Sequence, residues 1–222
     1  MTHLRIQFPT RGRPKQFLEI LSEYLRLMSG PPDIQVIMDV DDDTMTDDVV
    51  QQIQANNGVC MRKAANPSKI AAVNCFAGEG AWDVLLLASD DMWPVVQGYD
   101  EIIRKNMDAH FTDLDGVLWF NDGYQENRLN TLSILGRAYY RRFGYIYHPD
   151  YKSMYCDNEF MEVAESLNRQ VYFPEMIIEH RHPASGKAPG DPVYQRNQIP
   201  QGSDCSIYVR RKRAGFPQES IL

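Results

Sequence analysis

Residues Val84-Leu-Leu-Leu-Ala88 form an unbroken apolar run that passes directly into Ser89-Asp90-Asp91. A strand with no polar position has no side to present to water, so both of its faces must be covered. Layers of helix above and below a sheet provide that cover. The rest of the chain supplies the layers. Leu4–Phe8 alternates as a strand and stops at Pro9, and Pro14 suits the first turn of a helix that carries Phe17, Leu18, Leu21, Leu25 and Met28 at helical spacing. Gly30, Pro31 and Pro32 end that helix. Ile34–Met38 reads as a second strand and Val59–Met61 as a third, with a helix through Val49, Val50 and Ile53 between them. A further helix is expected over Lys69–Phe76. This alternation predicts an α/β fold: an open, mostly parallel (mixed) sheet flanked by helices, in a single domain.

The second half changes character. Val117–Phe120 is a strand ending in Asn121-Asp122-Gly123, followed by an aromatic helix at Tyr139–Phe143 and a helix over Glu159–Leu167. Short strands are expected near Val171 and Ile177, and the Pro-, Gly- and Gln-rich chain beyond Pro183 reads as an extended tail. The expected division is therefore a domain over residues 1–183 and a tail over 184–222.

Charge narrows the function classes. A net charge of −7 argues against a chain whose main task is to coat nucleic acid, which calls for a basic face. Cys60, Cys75, Cys156 and Cys205 are too dispersed for a metal clip and read as reduced, mostly buried thiols of a cytoplasmic protein. No secretory leader precedes the first strand, and no apolar run approaches the roughly 20 residues of a membrane span.

The polar clusters fall where an open α/β sheet binds ligands, beyond the carboxyl ends of its strands. Thr10–Arg13 follows the first strand, Asp39–Asp43 the second, and Asp90-Asp91 the central one. Adjacent carboxylates on a buried strand repel each other and favour a cation, and hard divalent ions take such oxygens and share them with phosphates. A helix N-cap or solvated turn is the bland alternative. Asp39 is placed to accept hydrogen bonds from a base or ribose, whereas Asp42 and Asp43 suit a solvated loop that caps the next helix. In Glu179-His180-Arg181-His182 an imidazole could complete a metal shell, and alternation along an extended segment would turn only one of the two histidines to the site. Asp157 can cap the helix that follows it or act as a general base.

Together these pieces resemble the GT-A glycosyltransferases, specifically the large family-2-like group with its bacterial and phage-type members. The resemblance runs from about residue 4 to 183. It rests on Phe8-Pro-Thr-Arg-Gly-Arg-Pro14, Met38-Asp39, Asn66-Pro-Ser-Lys69 with Asn74, Leu87-Ala-Ser-Asp-Asp91, the Asp157 segment and Ile178-Glu-His-Arg-His-Pro183. It implies a donor-binding half over about 1–115 and an acceptor half over about 116–183. It further implies that Thr10 and Arg11 edge a nucleotide pocket, that Asp39 holds the base or ribose, and that Lys69 and Asn74 line the nucleoside and diphosphate side. Asp90 would lie nearer the ribose, Asp91 would bind a divalent cation (Mn²⁺ or Mg²⁺) completed by His180 or His182, and Asp157 would be the catalytic base. The donor implied is a nucleotide-diphosphate sugar; the acceptor is a saccharide hydroxyl or modified-base DNA, whose phosphates the basic run Val209–Arg213 could touch and whose bases or sugars aromatics such as Trp119 and Tyr124 could stack on.

Three departures qualify the resemblance. The metal motif reads Ser-Asp-Asp instead of Asp-x-Asp, Cys156 stands where many relatives have Glu, and the Gln-x-x-Arg-Trp motif of processive synthases is missing. A non-processive, inverting transfer is what remains. The alternatives are a nucleotidyltransferase, for which Thr10–Arg13 is a partial match to the usual Gly-rich basic loop, and a non-catalytic module that only binds nucleotide-sugars.

Overall fold

The computed structural model describes residues 2–216. In chain order the elements are β1 (Leu4–Thr10), α1 (Pro14–Leu27), β2 (Ile34–Asp39), α2 (Asp47–Gln54), β3 (Val59–Ala64), α3 (Lys69–Asn74), β4 (Val84–Leu87), β5 (Met92–Pro94) and α4 (Tyr99–His110). They continue with β6 (Val117–Phe120), β7 (Ile134–Gly136), α5 (Arg137–Phe143), α6 (Cys156–Ser166), β8 (Gln170–Phe173), β9 (Ile178–His180), α7 (Pro192–Gln198) and α8 (Gln201–Arg213). Seven strands form one sheet in the order β3-β2-β1-β4-β7-β6-β8. The joins β1–β2, β1–β4, β2–β3 and β6–β8 are parallel, while β7 runs antiparallel to both β4 and β6. The expected mixed, mostly parallel sheet is observed.

β4 sits at the middle of the sheet and feeds both layers. Val84 and Leu86 pack with Ile6, Phe8, Val36, α1 and α4 on one face. Leu85 and Leu87 pack with Ile70, Val117, Tyr139 and Phe160 on the other. Two buried glutamines interrupt the apolar order on the second face without cost, because each finds partners. Gln7 donates to the carbonyls of Val73 and Cys75, and Gln35 donates to Gln7 and to the carbonyl of Phe76.

Several expectations are corrected. The chain beyond Pro183 is not extended: α7 and α8 are helices, and α8 packs on the body through Asp204, which is fully buried and accepts the main-chain N–H groups of Lys152, Ser153 and Met154. Composition obscured these helices because their apolar face is narrow and charged contacts hold them. Only Cys156 of the four thiols is buried; Cys60 is exposed and the other two are partly so. α4, β5 and β7 have no counterpart in the sequence reading, since the two strands are three residues each, too short to show a period. Among the described residues no helix is long and apolar enough to cross a membrane.

A candidate nucleotide and metal site at the carboxyl edge of the sheet

A cavity of about 450 Å³ opens beyond the carboxyl ends of β1, β2 and β4. Its wall includes Thr10, Arg11, Asp39, Lys69, Asp90, Asp91, Asp157, His180 and His182, which is every sequence-predicted site residue except Asn74. That asparagine is corrected to a structural role. Its side chain accepts the N–H groups of Ile146 and Tyr147 and donates to the Tyr147 carbonyl, pinning the end of α3 to the 146–147 segment.

The donor side of the wall is a charge network. Arg11 bridges Asp39 at 2.6 Å and Asp41 at 2.5 Å, and Asn66 donates to the other Asp39 oxygen at 2.8 Å. Asp42 is buried and caps the β1 loop instead of lying free in solvent: it accepts Gly12 N–H and both donors of Thr44. The cap position before α1 is held by Arg13, a residue that cannot accept a capping bond, and no side chain caps that helix. The guanidinium is used elsewhere. It reaches Asp90 at 2.6 Å and grips Asp191 through two bonds, while the Tyr194 ring lies 4.1 Å away. Burial raises the Asp90 carboxyl to about 6 even against the pull of Arg13, with Asp91 adding to the rise.

Asp91 is held differently. Its Oδ1 accepts the Ser89 hydroxyl, and its Oδ2 accepts the Tyr194 hydroxyl at 2.9 Å and lies 3.5 Å from His180 Nε2. The small antiparallel pair β5–β9 sets this arrangement by placing Met92 opposite His180, and Arg181 N–H bonds the Asp91 carbonyl. Burial would raise Asp91, but the contacts with His180 and Ser89 overcome it and hold the carboxyl well below the usual range. Burial would likewise lower His180; the carboxylates of Asp122 and Asp91 reverse this and lift the imidazole to about 9.

Both histidines reach the cavity, which corrects the expectation that alternation would turn one away. β9 ends at His180 and His182 begins a short 3₁₀ turn, so the strand period no longer applies. They differ in surroundings. His182 accepts the Ala184 N–H and stacks on Tyr124, with ring centroids 5.2 Å apart, whereas His180 faces Asp91.

Asp157 lies in the first turn of α6 and does not cap it; the cap position is Tyr155, whose φ of 62° is left-handed. A bulky residue in that region is strained and needs its surroundings to hold it. Here α8 does so: Tyr155 stacks on Tyr208, and Arg211 makes two bonds to Glu159. Burial raises the Asp157 carboxyl above the usual carboxylate range, against the opposing pull of Lys69.

Carboxylate oxygen and imidazole nitrogen are donors that a hard or borderline divalent ion accepts. Among the described residues no three His, Cys, Asp or Glu side chains form a closed cage. The open Asp91–His180 pair fits an ion that keeps most of its shell for water and phosphate. Sequence reasoning missed Arg13 as the neutraliser of Asp90, Asp122 as the partner of His180, and the α7 residues Val193, Tyr194 and Arg196 in the wall. Arg13 was legible only as a member of the Thr10–Arg13 cluster, and α7 was signalled by Asp191-Pro192, a cap followed by proline in the first turn.

No protein-family model matches the chain, and no curated protein matches it. Solved structures do. The chain is similar to the mannosyltransferase PcManGT of Pyrobaculum calidifontis, solved with GDP-Man and Mn²⁺, at TM-score 0.65 and 12% identity over 81% of this chain and 57% of that one. It is similar to residues 1–349 of S. aureus TarS with UDP at TM-score 0.62 and 15% identity, over 81% and 60%. It is also similar to the glucosyl-3-phosphoglycerate synthase of Mycobacterium tuberculosis, solved with Mn²⁺, UDP-glucose and phosphoglyceric acid, at TM-score 0.64 and 10% identity, over 97% and 81%. The chain thus spans less than two thirds of the mannosyltransferase and of that TarS segment. At these identities the likeness establishes the fold, which is of the GT-A type.

Proposed function

We propose that this protein is a non-processive, inverting glycosyltransferase of the family-2-like group. It would move a sugar from a nucleoside-diphosphate donor to an acceptor hydroxyl with the help of Mn²⁺ or Mg²⁺. The observation that carries the reading is that the Asp91–His180 pair and the raised carboxyl of Asp157 line one cavity on this fold. The solved neighbours hold GDP-Man, UDP or UDP-glucose, two of them with Mn²⁺.

The roles follow from the surroundings. Asp39, positioned by Arg11 and Asn66, would receive the nucleoside. Lys69 and Arg196 line the cavity and pair with no acid among the described residues, so they suit a diphosphate. Asp91 and His180 would hold the cation, which when bound supplies positive charge to the departing diphosphate. Asp157, held as a carboxylate with raised proton affinity, would take the proton of the attacking hydroxyl. Charge would then develop on a sugar with oxocarbenium character.

A neutral saccharide acceptor is favoured over DNA. The basic run of α8 is largely engaged: Arg210 pairs with Asp150, Arg211 with Glu159 and Lys212 with Glu162. The deciding experiment is a screen of nucleotide-sugars for hydrolysis and transfer with Mn²⁺, comparing wild type with Asp91→Asn. Wild-type turnover that Asp91→Asn abolishes supports the reading. Nucleotide transfer in place of sugar transfer would establish the nucleotidyltransferase alternative, and tight donor binding without turnover would establish a binding module.

A further inference from the structure

The geometry points to Asp122 as the positioning residue that sets the His180 imidazole for metal binding. The inference rests on the proposal that His180 is a metal ligand. Asp122 follows β6 and is 2% exposed. Its Oδ1 accepts three main-chain N–H groups, from Tyr124 at 2.9 Å, Gln125 at 2.6 Å and Glu126 at 3.0 Å. Its Oδ2 accepts the Thr131 hydroxyl at 2.6 Å and lies 3.4 Å from His180 Nδ1. The Asp122 carbonyl also accepts His180 N–H at 2.8 Å, so one residue touches both the main chain and the ring of the histidine.

So many donors hold the carboxylate in place, with Oδ2 beside the His180 ring. His180 Nδ1 is buried and makes no well-aligned hydrogen bond, and Asp122 Oδ2 at 3.4 Å is the acceptor that faces it. A neutral imidazole carries one proton. With a metal bound, a carboxylate facing Nδ1 would keep the ring proton there and leave the Nε2 lone pair for the ion shared with Asp91, as in carboxylate–histidine–metal arrangements. A simpler role is also open to Asp122, that of capping the 123–126 turn through Oδ1.

Asp122→Asn separates the two roles. The amide oxygen keeps the turn cap, while the amide N–H donates to Nδ1 and moves the ring proton to Nε2, where it blocks a metal. Titration with Mn²⁺ alone, followed by loss of the free-ion electron paramagnetic resonance signal, is the measurement. Wild type should bind, His180→Ala should lose most of the affinity, and Asp122→Asn should bind about 10- to 100-fold more weakly at an unchanged melting temperature. Equal binding by Asp122→Asn and wild type overturns the inference. Equal binding by His180→Ala and wild type overturns the metal assignment beneath it, which is a distinct result. Should Asp122→Asn fail to fold, the ¹⁵N shifts of the His180 ring in wild type loaded with Zn²⁺ decide. Protonation at Nδ1 with metal at Nε2 supports the inference, and the reverse overturns it.

Discussion

The Tyr194 hydroxyl donates to Oδ2 of Asp91 at 2.9 Å across 103 residues of sequence. The same oxygen faces His180, so the phenol occupies a lone pair that the proposed metal would use. Removing the hydroxyl should free it. Tyr194→Phe is expected to bind Mn²⁺ more tightly in the absence of nucleotide, by up to about fivefold for a hydrogen bond of ~1 kcal/mol. Weaker binding in the same paramagnetic titration would instead make Tyr194 a brace for Asp91.

Asp157→Asn retains side-chain volume and cannot take a proton. Transfer should fall by roughly a hundredfold or more, the usual scale for a lost general base. Because Tyr155 and not Asp157 occupies the cap position of α6, no cap is lost in the Asn or the Ala variant. Donor affinity, measured by calorimetry, should stay near wild type. Normal transfer by Asp157→Asn would remove the base assignment.

The raised proton affinity of Asp157 has a sign that can be checked. A general base works when deprotonated, so kcat should drop tenfold per unit as pH falls below its pKa, and the midpoint should lie above that of an ordinary aspartate. Stability runs the other way. A folded pKa above the unfolded one means that stability contributed by this group is present at low pH and is lost as pH rises through the folded pKa. Asp157→Asn should therefore melt higher than wild type at neutral pH, with the advantage vanishing at acid pH. Scanning calorimetry at several pH values tests this.

Arg13→Met should be among the most destabilising single changes at the site. The guanidinium is buried between Asp90 and Asp191, and removing it leaves a carboxylate in a desolvated position without its cation. Broken buried pairs of this kind cost about 3–5 kcal/mol. Denaturant unfolding should show the loss, and a cost below about 1 kcal/mol would mean that water reaches Asp90 freely.

Asn74→Ala tests the corrected role of that residue. Three hydrogen bonds to the 146–147 main chain disappear, so stability should fall by about 1–3 kcal/mol with donor affinity unchanged. A selective loss of donor affinity would return Asn74 to the nucleotide pocket.

The apolar run of β4 and the position of polar residues at strand ends made the sheet and most of its cavity wall legible in the sequence. Asp39, Asp90 and Asp91 could be placed because they lie at or just beyond the carboxyl ends of strands that the apolar pattern marks. Asn74 could not, because a residue at a helix end can turn to the cavity or to a neighbouring loop with equal local preference. Asp122 was hidden for a related reason. Asn121-Asp122-Gly123 reads as an ordinary turn, and only the fold brings it beneath His180, whose own strand is three residues long. The helical character of the last segment was lost to its composition. α8 is held by Asp204, Tyr208 and Arg211, which share one face at i, i+4 and i+7, but two of the three are charged and leave no apolar period.

Those contacts bear on what a shortened chain would keep. Every strand of both sheets lies before residue 183. Asp191, Tyr194, Asp204 and Arg211 come afterwards, and they grip Arg13, Asp91, the 152–154 segment and Glu159. Along the described residues, then, every strand precedes the contacts that close the pocket wall. A chain cut near residue 190 would carry every strand, yet it would lack the Tyr194 bond to Asp91 and the α8 support of the turn before Asp157.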